Sequence, residues 1–231
     1  MRDLTEDYIV GLYLEYADAL RAVRARQREL HRNSRDLRAR LDDIEAEVTY
    51  LLLRAGRPRC VVEAGCLHGW STTWILQALR DNGHGRLVSI GPADGAVRRV
   101  PPELAATGWE FRHGDIRRLA DRCPADLDHL FIDAAHTASF ARWYLDSLLP
   151  RMPAPALVSV HDVFHRRRPL PFSEGAEVLK WLSRTGTRYF TAAPARAPRT
   201  FDRLTALRRR LDLGEPIRAS AANPMVYFRL G

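Results

Sequence analysis

Three stretches hold the residues best suited to chemistry: Glu63-x-Gly65-x-x-x-Gly69-x-Ser71-Thr72, Asp133-Ala134-Ala135-His136 and His161-Asp162. In the first, the β-branched pair Val61-Val62 leads into an acid, then a glycine turn, then a Ser-Thr helix start. Strand, tight turn and helix N-terminus together make a place where backbone N–H groups and a helix dipole meet an anionic ligand group. No Gly-Lys-Ser/Thr closes the turn, so it is not a P-loop. In the other two, acids and histidines follow directly on apolar runs. Carboxylates gathered at one point repel, and need a proton or a cation between them. Hard divalent cations such as Mg2+ prefer oxygen and need only a few carboxylates. An imidazole beside such a cation could take a proton from a hydroxyl whose pKa the cation has lowered. The plainer alternative is that these acids cap turns and the histidines face solvent.

Those stretches need a frame, and the pattern from Cys60 onward supplies one. Strands are expected at Cys60–Glu63, Arg86–Ile90, Trp109–His113, Leu127–Asp133, Ala156–Val160, Arg188–Ala192 and Met225–Leu230. Helical segments alternate with them: after Ser71, at Ile116–Arg122, Phe140–Leu149, 174–185 and 200–211. Such alternation argues an α/β fold, a doubly wound, parallel, Rossmann-like sheet with right-handed crossovers. The last two strands, with their long connection, suit an antiparallel pair at one edge, and 193–199 is expected to be a mobile loop. In open sheets of this kind ligands sit at the carboxyl ends of the strands. Here those ends are Glu63, Gly91, Asp115, Asp133 and His161-Asp162.

The first motif resembles that of class I S-adenosylmethionine-dependent methyltransferases, whose seven-stranded sheet is then expected. The pairing of Asp133-x-x-His136 with His161-Asp162 is similar to the metal-dependent small-molecule O-methyltransferases of the macrocin type, over about Glu47 to Leu182. The resemblance implies S-adenosyl-L-methionine as cofactor, with Mg2+ or another divalent cation. It implies that Glu63, Gly65, Gly69 and Ser71 hold the methionine end, with Ser71 at the carboxylate, and that Asp115 lies near the adenine. It implies Asp133 and Asp162 as metal ligands, with His161 at a position where some relatives place another acid. His136 matches the general base, and Asp133 joins it in the catalytic and cofactor sets. One departure stands out. The second strand should end in an acid that binds the ribose hydroxyls, and Gly91 stands there. Either Asp94 reaches in from the loop, or backbone and water hold the ribose; each lost charge-assisted hydrogen bond costs about 1.5–3 kcal/mol. The expected activity is O-methylation of a small polar acceptor such as a sugar or phenol. The alternatives are metal-free methylation of a carboxylate, amine or peptide, and a non-catalytic cofactor-binding or scaffold protein.

Composition narrows the remaining classes. The 231 residues include 36 Lys+Arg against 28 Asp+Glu, for a net charge of +8, and Lys180 is the only lysine. The arginines are dispersed and interleaved with acids, with no nucleic-acid-binding module beside them, so nucleic acid is not an expected partner. A solvated surface is the first reading of that charge and an acidic substrate or partner the second. The basic run in Phe164–Pro169 follows the fifth strand and is expected to overhang the site, where its arginines would bind a carboxylate or phosphate or simply face water. Glu174-Gly175 is a weaker candidate wall. Trp70, Trp74, Trp143 and Trp181 read as packing. No apolar run reaches membrane-spanning length and no secretory signal opens the chain. Three unpatterned cysteines (Cys60, Cys66, Cys123) point to a reducing cytoplasm.

Residues 1–56 form the other expected unit, a coiled-coil-like helical arm ahead of a methyltransferase domain at 57–231. Apolar residues recur at 3,4 spacing from Ile9 through Tyr13, Leu20, Val23, Leu30, Leu37, Ile44 and Val48 to Leu51. Gln27 and Ser34 interrupt the seam, with a break expected near His31–Ser34 and Asn33 or Ser34 as N-cap. A continuous helix would run about 65–70 Å, longer than a domain about 40 Å across. It must therefore pair with a twin subunit, giving the expected homodimer, or fold back as a hairpin on its own domain.

Overall fold

The structure is a computed structural model that describes residues 3–34, 36–164, 169–219 and 224–231. The chain opens with three helices, α1 (Glu6–Glu15), α2 (Ala17–Asn33) and α3 (Asp43–Gly56). Then come β1 (Cys60–Ala64), α4 (Trp70–Asn82), β2 (Arg86–Gly91), α5 (Gly95–Arg99), α6 (Pro102–Ala105) and β3 (Trp109–His113). After α7 (Ile116–Leu119), β4 (His129–Ile132), α8 (Ala138–Trp143) and β5 (Leu157–Val160) follow α9 (Glu174–Thr185), β6 (Tyr189–Phe190), α10 (Pro198–Arg210) and β7 (Val226–Arg229). Among the described residues the sheet has seven strands in the order β3-β2-β1-β4-β5-β7-β6. The first five strands are parallel, and β7 runs antiparallel between β5 and β6. The doubly wound, Rossmann-like expectation holds, and the late antiparallel pair sits at the edge as the long connection suggested.

Alternation along the strands divides the core in two. Val61, Leu87, Phe131, Leu157 and Tyr227 face the helices α1 to α4, α6 and α10. Val62, Val88, Leu130, Val158 and Phe228 face α8 and α9. A period of two on strands buried on both faces gives near-continuous apolar runs, which is why they read so clearly. Trp70 and Trp74 are buried in the first layer, as their reading as packing residues requires. The segment 193–199 is a turn that closes on buried Ala193, whose carbonyl accepts from the Arg196 and Ala197 N–H groups at 2.9 and 2.7 Å, leading into α10. That contact replaces the expected mobile loop.

The amino-terminal helices correct the arm. They bend at Tyr16 and again across 34–42, and the third helix begins at Asp42 rather than at Asn33 or Ser34. Asp42 accepts from the Ile44 N–H while Glu45 accepts from the Asp42 N–H, closing a capping box. Ile9, Tyr13, Leu20, Val23, Leu37, Ile44, Val48 and Leu51 are all buried in the same cluster as Trp70, Trp74, Leu204 and Tyr227. Even Gln27 is buried, donating to the Thr73 hydroxyl on α4 at 3.1 Å. The seam that suggested a twin subunit is thus covered by the chain's own domain, and pairing two subunits through it would mean opening this core. Residues 1–56 contribute to the same core cluster as the sheet.

A buried ionic cluster fixes the arrangement. Arg24 on α2 pairs with Asp43 and Glu47 on α3, and Arg208 on α10 reaches the same two acids at 3.2 and 2.8 Å. Tyr13 on α1 donates to Glu47 at 2.9 Å. Asp43 also accepts from the Ile217 and Arg218 N–H groups, both at 3.0 Å. Each buried charge has several partners, without which burial would cost several kcal/mol.

Candidate active site

Four lateral hydrogen bonds bring the strand ends level. The Gly65 N–H donates to Ile90 at 2.8 Å, Gly114 to Gly91 at 2.9 Å, Asp133 to Ala64 at 2.8 Å, and His161 to Ile132 at 2.9 Å. A cavity of about 560 Å3 opens across these ends, within the range of small-molecule sites. Its sheet wall carries Gly65, Gly69, Ser71, Gly91, Asp115 and Asp133. Its rim adds His136, His161 and Asp162, together with Arg40 and Arg218.

The glycine turn is built for close approach. Gly65 has φ +88°, and a Cβ there would lie 1.9 Å from the Asp133 carbonyl oxygen. Gly69, at φ +80°, starts α4 with no side chain capping its first N–H groups, so they remain for a ligand. Ser71 follows in that first turn and lines the cavity. A side chain at Gly65 would push the end of β4 away from the turn, and the uncapped start of α4 beside it fits the methionine end of S-adenosylmethionine.

Two predicted contacts lie elsewhere. Glu63 is wholly buried and does not line the cavity. Its carboxylate accepts from the hydroxyls of Ser71 at 2.5 Å, Thr72 at 2.8 Å and Ser89 at 2.5 Å. Burial pushes its pKa up to about 7 against the pull of these three donors. Glu63 therefore holds the start of α4 in place from beneath, instead of touching the ligand. The cause is register: Glu63 pairs with Ser89 in the ladder, on the face covered by α4. Asp94 is also absent from the cavity. It turns to Arg98 one helical turn on, at 2.7 Å, with 56% of its side chain exposed. Pro92 and Ala93 line the cavity beside Gly91 in its place. Asp115 is where it was expected, but it caps α7 and pairs with Arg117 at 2.5 Å. That guanidinium holds its carboxyl below the usual range.

Asp133, His136 and Asp162 come together, each offering a ligand atom within 4.8 Å of the others. His136 Nε2 lies 3.5 Å from Asp133 and 3.4 Å from Asp162, while its Nδ1 lies 3.2 Å from Glu174. Glu174 is 1% exposed. His136 and Asp162 both sit at positive φ, 49° and 55°, backbone strain of a kind that gathers at functional sites. Hydrogen bonding to Glu174 raises the His136 pKa; burial opposes, and Asp162 and Asp133 add to the rise. His161 lies behind, with Nδ1 3.2 Å from Asp133 and Nε2 3.4 Å from buried Glu45 on α3. Burial works against its charge, but Glu45, Asp133 and Asp162 outweigh it and hold the imidazole well above its usual pKa. Two carboxylates and an imidazole at these separations fit a divalent cation. Asp133, His136 and Asp162 thus converge, with His161 behind them between Asp133 and Glu45.

Sequence reasoning passed over Glu45, Arg40 and Arg218. Glu45 carried a signal only for its capping role; its contact with His161 joins residues far apart in the chain. The basic run of residues 165–168, read as overhanging the site, lies outside the described residues.

Residues 62–163 match the family described as Methyltransferase domain. The sheet order and the glycine turn after the first strand agree with that match. Solved structures share the fold. The O-methyltransferase TomG from Streptomyces achromogenes, involved in tomaymycin synthesis and solved with SAM, is 21% identical with a TM-score of 0.52, covering 73% of this chain and 82% of its own. An O-methyltransferase from Bacillus cereus, in complex with SAH, is 17% identical with a TM-score of 0.54, covering 77% and 84%. A methyltransferase from Geobacter sulfurreducens is 20% identical with a TM-score of 0.55, covering 89% and 88%. No curated protein matches the chain at a significant level.

Proposed function

We propose that this chain transfers the methyl group of S-adenosylmethionine to a hydroxyl oxygen of a small polar acceptor, with a divalent cation held at Asp133 and Asp162. The observation that supports it most is the convergence of Asp133, His136 and Asp162 at the edge of the glycine-walled cavity. S-adenosylmethionine supplies an electrophilic methyl on a sulfonium, and a bound divalent cation lowers the pKa of a hydroxyl beside it. The chain contributes position and proton handling. The α4 N-terminus and the Gly65 turn would hold the cofactor at the cavity's sheet wall, and near in-line approach would supply much of the rate. Glu174 holds His136 Nδ1 and leaves Nε2 toward Asp133 and Asp162, where it accepts the acceptor's hydroxyl proton. The same Nε2 is placed to be the third metal ligand. That second reading is favoured by its 3.4–3.5 Å distances to both carboxylates, and it hands the proton to a neighbouring group.

Calorimetry of the full chain with S-adenosylhomocysteine, with Mg2+ and with EDTA, tests the proposal. Absence of binding at millimolar ligand would end it. Asp133→Asn and Asp162→Asn are expected to abolish Mn2+ or Mg2+ binding and spare S-adenosylhomocysteine affinity. Full activity in excess EDTA would favour metal-free methylation of a carboxylate, amine or peptide. If His136 is the base, His136→Ala keeps the metal and lowers turnover by about 10²–10⁴-fold; if it is a ligand, the metal is lost as well.

A further inference from the structure

We propose that Arg40 and Arg218 form an anion-recognising wall of this cavity, and that the methyl acceptor carries a carboxylate or phosphate besides its hydroxyl. The inference rests on the methyltransferase reading and names the substrate class for the same site.

Both arginines line the cavity, flanking Leu41. No carboxylate among the described residues forms an ion pair with either. Arg218 Nη1 donates to the Ala39 carbonyl at 2.6 Å, which leaves the rest of its donor fork for other partners. The other cavity charges are already matched: Arg117 to Asp115, and Asp133 and Asp162 to the two histidines. His68, on the same lining, feels this wall. Burial and the positive charges of Arg40, Arg99 and Arg38 hold it below its usual pKa, and its Nδ1 is buried with no hydrogen-bond partner.

Arg218 sits on a rigid platform, and its bond to the Ala39 carbonyl ties that platform to the segment carrying Arg40. The Asp43 N–H donates to the Arg218 carbonyl at 3.0 Å, and the Asp43 carboxylate accepts from the Arg218 N–H at 3.0 Å. Asp43 belongs to the buried cluster with Arg24 and Arg208, so the platform is anchored to the core. Arg218 on that platform lies toward the acceptor end, while Arg40 stands near His68 of the glycine turn. Two residues beyond Asp43, Glu45 lies 3.4 Å from His161, which lies 3.2 Å from Asp133. The adenine end, at Gly91 and Asp115, belongs to the opposite strands of the sheet. Guanidinium pairs match planar carboxylates and phosphates, and a site built around such a group discriminates against analogues that lack it.

The test uses the full chain loaded with S-adenosylhomocysteine and Mg2+, at low salt, and two probe pairs: 3,4-dihydroxybenzoate with catechol, and glucose 6-phosphate with glucose. At least one acidic member should bind about tenfold or more tightly than its neutral partner, as one charge-assisted pair would give. Arg40→Gln and Arg218→Gln should each remove most of that preference, leaving affinity for S-adenosylhomocysteine and the neutral probe in place. Arg40 is exposed and unpaired, so its variant folds; circular dichroism checks the Arg218 variant. Equal or absent binding of acidic and neutral probes to wild type overturns this inference alone. So does loss of S-adenosylhomocysteine affinity in Arg40→Gln, since the wall would then hold the cofactor's carboxylate. Failure of wild type to bind S-adenosylhomocysteine takes down the methyltransferase reading, and this inference with it.

Discussion

Glu63→Gln is the sharpest probe of the frame beneath the site. The wild-type carboxyl titrates at about 7 in the folded chain, against 4.5 for an unperturbed one. Burial favours the protonated form, so folding binds that proton more tightly than the unfolded chain does. The stabilisation is therefore fully present below about pH 4.5, and is lost as pH rises through about 7. At about 1.36 kcal/mol per pKa unit, the loss comes to roughly 3 kcal/mol. Glutamine has the same shape and no proton to lose, so the variant should lack this dependence. Urea denaturation of both proteins at pH 5 and pH 9 isolates the effect, because every other titrating group cancels in the difference. Glu63→Gln should gain about 3 kcal/mol relative to wild type between the two pH values. A pH-independent difference would refute the reasoning, and would mean that the three hydroxyls fully compensate the ionised carboxylate.

Gly65→Ala puts a Cβ 1.9 Å from the Asp133 carbonyl at φ +88°, so we expect a lower Tm and at least tenfold weaker S-adenosylhomocysteine binding by calorimetry. Asp94→Ala should leave that affinity within about threefold, since Asp94 faces Arg98 and solvent; a tenfold loss would put Asp94 back at the ribose. Arg24→Met strips a buried cation from Asp43 and Glu47, and should cost about 3–5 kcal/mol in denaturant titration; a change below about 1 kcal/mol would mean that Arg208 alone suffices.

What could be read from the residues depended on how local the signal was. The strand–turn–helix at Val61–Thr72 and the acids closing β4 and β5 are carried by neighbours in sequence, and the structure puts them where they were expected. The face on which Glu63 lies depends on ladder register with Ser89, which no single stretch encodes. Asp94 did carry a local signal, the i,i+4 partner Arg98. The 3,4 pattern of the first 50 residues is the same for a seam between subunits and for helices laid on their own sheet. Gln27 and Arg24 are buried against Thr73, Asp43 and Leu213, partners too far along the chain to be guessed. Arg218 reaches the cavity for the same reason, through Asp43.

The buried cluster also has a consequence for how the protein is made. Asp43 and Arg208 lie 165 residues apart, and ribosomes add about 5–20 residues per second. Asp43 and Glu47 thus wait roughly 8–33 s after leaving the ribosome before α10 exists to meet them. Through that interval the two acids have only Arg24 and Tyr13, the apolar seam from Ile9 to Leu51 lacks Leu204, Leu207 and Tyr227, and one wall of the cavity is missing. The nascent chain therefore spends most of its synthesis with this helical layer incomplete. Chaperones that bind extended apolar helices have their opportunity then, and the cavity can close around a ligand only once residues 217–218 have emerged and docked.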